Sequence, residues 1–334
     1  MKKLLQRLKL AFNYGFYSER RFKRSAKRRL MPYYSAEAKR ATNERKMVIS
    51  MFDGRKKHGG LADRLRGMAT TYLFCQEHGW DYRIHFCSPF RLEEFLAPNR
   101  YDWRIDEEQI SYNLDDARPV YIATSEIDPE RDKRFQRRMA EKFFRPDFKQ
   151  LHAYTNMRFE EERFSEAFHT LFRPQPWLQE LIDRHVEELG GKGGYIAIST
   201  RFMELLGDFN ESADRAAQGL PAHEQQALLE GCGRQIERIH AERPSATILV
   251  TSDSARFIDF VTTRYDYVRT LPGEIGHIDV VNDNRAVHTK TFLDFLVLAE
   301  AAEHFYLVGP GMYRGNFSRR AAQITDSPFH EVIF

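Results

Sequence analysis

The chain has 334 residues, 42% of them hydrophobic and 30% charged, with a net charge of +3. That length suits two domains of ordinary size, and no apolar run approaches the roughly 18 residues that cross a bilayer, which argues against a membrane-spanning protein. Three unclustered cysteines, Cys75, Cys87 and Cys232, argue against a disulfide framework or a cysteine zinc site and suggest a reducing, cytoplasmic setting.

The charge is uneven along the chain. Residues 1–46 are crowded with Lys and Arg and hold only three acids, Glu19, Glu37 and Glu44, so the remainder is net acidic. Leu4, Leu5, Leu8, Leu10, Ala11 and Phe12 form an apolar stripe among the cations, and the segment is too charged for a secretory signal. Residues 1–46 therefore read as a basic amphipathic arm that lies on an anionic membrane surface, with a solvated or self-packed tail as the plainer reading. Nucleic acid is not expected as a partner, because the rest of the chain is acidic and shows no nucleic-acid module.

After the arm, short apolar runs alternate with helical patterns. Strands are expected at Val48–Phe52, Tyr82–Phe86, Pro119–Ala123, Tyr195–Thr200, Thr247–Thr251, Tyr267–Arg269 and His304–Val308. Helices are expected at Ala62–Glu77, Asp132–Phe143, Pro176–Leu189, Ala222–Arg243, Ala255–Thr263 and Thr289–Ala302. This alternation predicts an α/β chain with parallel sheets. The glycine run Gly190 to Gly194 suggests a hinge, dividing the chain into 47–190, an acceptor-side domain, and 191–334, a Rossmann-like nucleotide domain.

Three segments follow strands, where α/β folds gather ligands. The first is His58-Gly59-Gly60 running into a helix, with Asp63 and Arg66 three apart on its first turn. The second is Ser199-Thr200-Arg201-Phe202, whose Arg201 suits a phosphate and a departing diphosphate, or a structural ion pair. Glu204, Asp208 and Glu211 follow it as candidate bases, Asp208 preferred because Gly207 tightens its loop. Ser252 and Asp253 end the next strand and can either meet a base edge or cap a helix. The third is Gly309 to Arg320, where Ser318 opens a helix beside Phe317, with Arg314 and Arg319 adding positive charge.

In this order the segments resemble the GT-B fucosyltransferase superfamily of α1,2-, α1,6- and protein-O-fucosyltransferases. Gly59-Gly60-Leu61-Ala62-Asp63-Arg64-Leu65-Arg66 is similar to their Gly-Gly-x-Gly-Asn-x-x-Arg loop, with Ala62 and Asp63 replacing Gly and Asn. Ser199-Thr200-Arg201-Phe202 matches the first Arg of their His-x-Arg-Arg motif but lacks the His and the second Arg. Thr251-Ser252-Asp253-Ser254 is similar to their guanine-contacting strand end, and Asn316-Phe317-Ser318-Arg319-Arg320 to their Ser-Ser-Phe-Ser-like turn. The resemblance implies two Rossmann-like domains facing across a cleft and an inverting, metal-independent transfer of a sugar, most readily fucose from GDP-fucose. A cell-surface polysaccharide or lipid-linked oligosaccharide is expected as acceptor, with the basic arm holding the enzyme near it. On this reading Arg201, Asp208 and Asp63 are catalytic, while His58, Gly59, Gly60, Arg66, Ser252, Asp253, Arg314, Phe317 and Ser318 hold the donor. No cofactor or metal is expected, and the protein would be cytoplasmic, peripheral on the inner face of a membrane. The alternative is a catalytically inactive protein of the same fold that binds a nucleotide or glycan.

Overall fold

The computed structural model describes residues 14, 16–42, 46–124, 128–145, 147–208, 219–276, 278 and 284–334. The apolar stripe from Leu4 to Phe12 and the candidate base Glu211 lie outside the described residues. Two compact units divide the chain: residues 1–59, 63–92 and 97–173 form the first, and residues 60–62, 93–96 and 174–334 the second. Two three-residue strands, β3 (Leu96–Pro98) and β6 (Phe172–Pro174), lie where the chain passes from one to the other. Among the described residues no helix is long and apolar enough to cross a membrane.

The first unit contains α1 (Phe16–Arg29), β1 (Met47–Phe52), α2 (Leu61–Glu77), β2 (Asp81–Phe86), β4 (Ala117–Ile122), α3 (Pro129–Phe143), β5 (Gln150–Thr155) and α4 (Phe164–Leu171). Its four long strands are parallel in the order β2-β1-β5-β4. Every residue of β1 and β5 is buried, as expected of central strands covered on both faces.

β5 is absent from the sequence expectation because Gln150, His152 and Thr155 interrupt its apolar pattern. Tertiary partners satisfy them: Gln150 accepts from the Ser111 N–H at 2.8 Å, and the His152 ring bonds the Tyr34 hydroxyl. Helix α1 places Phe22 and Ala26 in the interior, Leu30 just beyond its end is buried too, and the Phe22 ring meets Tyr121 of β4 edge-on at 5.6 Å. Between Phe16 and Arg29 the basic arm is therefore a helix packed on its own unit. Helix α2 comes close to the chain after β5: a Cβ on Gly67 would lie 2.7 Å from the Thr155 carbonyl oxygen.

The second unit contains α5 (Pro176–Glu188), β7 (Tyr195–Ser199), α6 (Ala222–Glu242), β8 (Thr247–Thr251), α7 (Ala255–Arg264), β9 (Val268–Arg269), α8 (Arg285–Ala299), β10 (Glu303–Val308), α9 (Phe317–Ile324) and β11 (Phe329–Ile333). Its sheet is parallel throughout, in the order β11-β10-β7-β8-β9. Ile196, Ile198, Ile248, Val250, Leu307 and Cys232 centre its core.

The glycine run forms a turn inside this unit rather than at its start: Gly190, Gly191 and Gly193 have positive φ, and α5 packs on α8. Helix α8 begins four residues earlier than the pattern predicts, because the Asn284 side chain accepts from the Ala286 N–H at 3.0 Å and caps it.

Candidate active site

Three parallel strands of the second unit, β7, β8 and β10, end around one pocket of about 120 Å³. Arg201, Ser252, Asp253, Tyr306, Phe317 and Ser318 line it, as does Gly60. The sheet brings together residues far apart in sequence, at the strand ends where open α/β sheets bind ligands.

Each strand end is braced by its neighbours. The Ser199 and Thr251 hydroxyls bond at 2.9 Å, and the Thr200 hydroxyl donates to Ser252 Oγ at 3.0 Å. Asp253 accepts the Phe202 N–H on Oδ1 and the Met203 N–H on Oδ2, both at 2.8 Å. Burial raises its pKa, while those two N–H groups and Arg201 pull the other way. Met203 has φ +53, uncommon for a side-chain-bearing residue, so Asp253 clamps a strained turn directly after Arg201.

The other flank of Arg201 is built by the loop after β10. The Tyr306 hydroxyl donates to the Tyr313 carbonyl at 2.7 Å and accepts the Gly315 N–H at 2.8 Å. Burial pushes the Tyr306 phenol up to about 12. The Tyr313 N–H bonds the Arg201 carbonyl at 3.2 Å, and the guanidinium carbon lies 5.5 Å from the Tyr313 ring centre. A Cβ on Gly315 would sit 3.3 Å from Arg201 Cδ, so the absent side chain leaves the arginine stem its room.

Ser318 is 1% exposed, lines the pocket, and has no hydrogen-bond partner for its Oγ among the described residues. It stands in the first turn of α9, an eight-residue helix whose N-terminal N–H groups favour an anion. Phe317 packs edge-on against Phe295 at 5.1 Å. Arg314 and Arg319 are directed elsewhere: both pair with Glu331, at 3.2 and 3.9 Å, and neither lines the pocket.

Asp208 forms a second cap on α7. Its Oδ2 accepts from Ser254 Oγ at 2.8 Å and from the Arg256 N–H at 2.9 Å, while Ser254 itself accepts the Phe257 N–H.

The glycine loop divides between the units. Gly60 lines the pocket, and Gly59 adopts φ +82 within the first unit. There Asp63 pairs with buried Arg66 at 3.0 Å, and Arg66 also donates to the Asn156 carbonyl at 3.1 Å, tying the loop's helix to the end of β5. His58 is buried with its ring 4.6 Å from Phe52, and burial pushes it down to about 3, so it is neutral at physiological pH.

Two charged residues are among the pocket residues that escape the sequence reading. Lys290 and Asp294, on α8, form a nearly buried ion pair that faces the same space, with Ile275, Gly276 and Ile278 beside it. Burial raises the Asp294 pKa and Lys290 opposes the rise. Their i,i+4 spacing, with Asp294 standing alone in the apolar run 292–299, was the available signal.

No family model matches the chain, and no curated protein does. Solved structures do. NodZ, an alpha-1,6-fucosyltransferase of Bradyrhizobium co-crystallized with GDP, is 15% identical with a TM-score of 0.54, over 84% of this chain and 92% of NodZ. FUT1 of Arabidopsis thaliana, solved as a mutant in complex with GDP, is 12% identical with a TM-score of 0.52, over 98% of this chain and 78% of that one. The chain has the GT-B fold of these fucosyltransferases.

Proposed function

We propose that the protein is a glycosyltransferase whose donor is a guanosine diphosphate sugar, most readily GDP-fucose. The observation that carries this reading is the orphaned Ser318 hydroxyl, buried at the start of α9 in the pocket that Arg201 also lines. A diphosphate satisfies both groups and the helix N-terminus together. The fold shared with NodZ, which was soaked with GDP-fucose, supports the choice of donor.

In the proposed reaction an acceptor hydroxyl attacks the anomeric carbon from the face opposite the diphosphate, inverting it. The bond from that carbon to the diphosphate oxygen breaks, and GDP leaves with the electron pair. Arg201, Ser318 and the α9 N–H groups stabilise the charge that develops on the leaving oxygen. The hydroxyl proton passes to a base. Asp208 and Asp63 remain the proposed candidates, although each carboxylate must first give up a present partner, the α7 cap or Arg66.

Asp253 spends both oxygens on backbone N–H groups, so it acts as a positioning residue for Arg201. Asp294 is the better acceptor for the guanine N1–H and 2-amino edge, with Lys290 holding one oxygen. The acceptor would be a cell-surface or lipid-linked glycan, and the basic segment 1–46 would keep the enzyme near an anionic, cytoplasmic membrane face.

Calorimetric titration with GDP, UDP and ADP tests the pocket. GDP should bind, Asp294→Asn should weaken it at least tenfold, and Arg201→Ala should lower transfer by about 10²–10³ with the fold intact. Tighter binding of UDP than of GDP discards guanine, and binding of none discards the donor site. One observation favours a second reading, a binding protein without turnover. Where the related motif has its second Arg stands Phe202, fully buried in the core. GDP binding with no transfer to any glycan would select it.

A further inference from the structure

A cavity larger than the donor pocket lies in the first unit. It is a groove of about 710 Å³ between α1, the edge strand β4 and the end of α3. Its walls carry five cations, Lys23, Lys27, Arg118, Lys142 and Arg145, against one acid, Asp147. Glu19 pairs with Lys23 at 2.9 Å and Lys142 at 2.8 Å. Lys27, Arg118 and Arg145 make no ion pair with a carboxylate among the described residues.

Beneath the cations the surface is apolar. Phe22, Ala26, Met31, Phe143 and Phe148 contribute to it, with Arg118 lying over the Phe148 ring at 5.3 Å and Lys23 over Phe143 at 5.6 Å. The outer face of α1 continues the charge with exposed Arg20, Arg21, Arg24, Arg28 and Arg29.

We infer that this groove binds an anionic lipid of a bilayer surface. Its cations match the phosphate headgroup, and the aromatic and aliphatic walls match the first segment of the chain beneath it. A free phosphate or a polyanion would use the cations and leave the apolar walls wet. The site is set by tertiary packing of residues 22–31, 114–121, 142–145 and 147–148. It deepens the membrane part of the reading above and is independent of the nucleotide chemistry.

The test is sedimentation of the full chain with phosphatidylglycerol vesicles and with phosphatidylcholine vesicles, alongside GDP titration. Wild type should bind the first and not the second. Arg118→Gln with Arg145→Gln should weaken vesicle binding about thirtyfold, from about fivefold per cation near an anionic leaflet. GDP affinity and melting temperature should not change. Arg234→Gln with Arg238→Gln, an equal change of net charge on exposed positions of α6, should leave vesicle binding intact. Unaltered binding by the groove variant overturns the inference, as does equal binding to both vesicle types or release by millimolar inorganic phosphate. Failure of GDP to bind would strike the donor reading alone.

Discussion

His304 stands in β10 with both ring nitrogens buried and without hydrogen-bond partners among the described residues. Burial pushes it down to about 4, and pushes His58 and His152 down to about 3. In the unfolded chain all three titrate near 6.5. Between about pH 6.5 and 4 the unfolded state therefore binds protons that the folded state refuses, so stability falls as the pH drops through that window. At pH 5 each such histidine costs about 2 kcal/mol. His304→Leu should raise the melting temperature at pH 5 by more than at pH 7.5, read by scanning calorimetry at both. An equal shift at the two values would mean that His304 is not held neutral. Sequence reading at this scale went as far as residue type and neighbourhood. The places of Arg201 and Ser318 were legible because the first follows a strand and the second opens a helix. Asp294 was not, because only folding turns that face of α8 toward the ends of three strands.

Helix α2 opposes intrinsic propensity to packing. In an exposed helix, Gly67→Ala would gain up to about 1 kcal/mol. Here the added Cβ meets backbone atoms of Thr155 and Asn156 at 2.7 and 2.8 Å, and backbone cannot swing aside as a side chain can. The substitution should therefore destabilise by about 1–3 kcal/mol in urea unfolding, and a stabilised variant would refute the close approach. The long amphipathic and apolar elements were legible because their periodicity is local. β5 and β11 were not. The first hides its polar residues in partners brought from Ser111 and Tyr34, and the second is a half-exposed edge strand paired with β10.

For the molecule as a whole, the donor pocket belongs to the second unit. Hydrogen exchange with saturating GDP should slow amides around 199–203, 251–254, 290–294 and 315–318. The central strands of the first unit should exchange as before, since a ligand protects what it touches or orders. Protection confined to the first unit would overturn the assignment of the pocket. The sequence alone determined an α/β chain with parallel sheets, the positions of Arg201 and Asp253 just after strands, and that of Ser318 at the start of a helix. Alternation of apolar runs and their terminating residues is written in contiguous stretches, so physics local to each stretch suffices. Only the tertiary structure decided that α5 and the glycine turn join the second unit, that Asp253 clamps backbone, and that Asp208 caps α7. It alone revealed the Lys290–Asp294 pair in the pocket and the cationic groove beneath α1. Each of these depends on which distant groups are neighbours, and a partner for a carboxylate or a wall for a cavity exists only once the sheets have assembled.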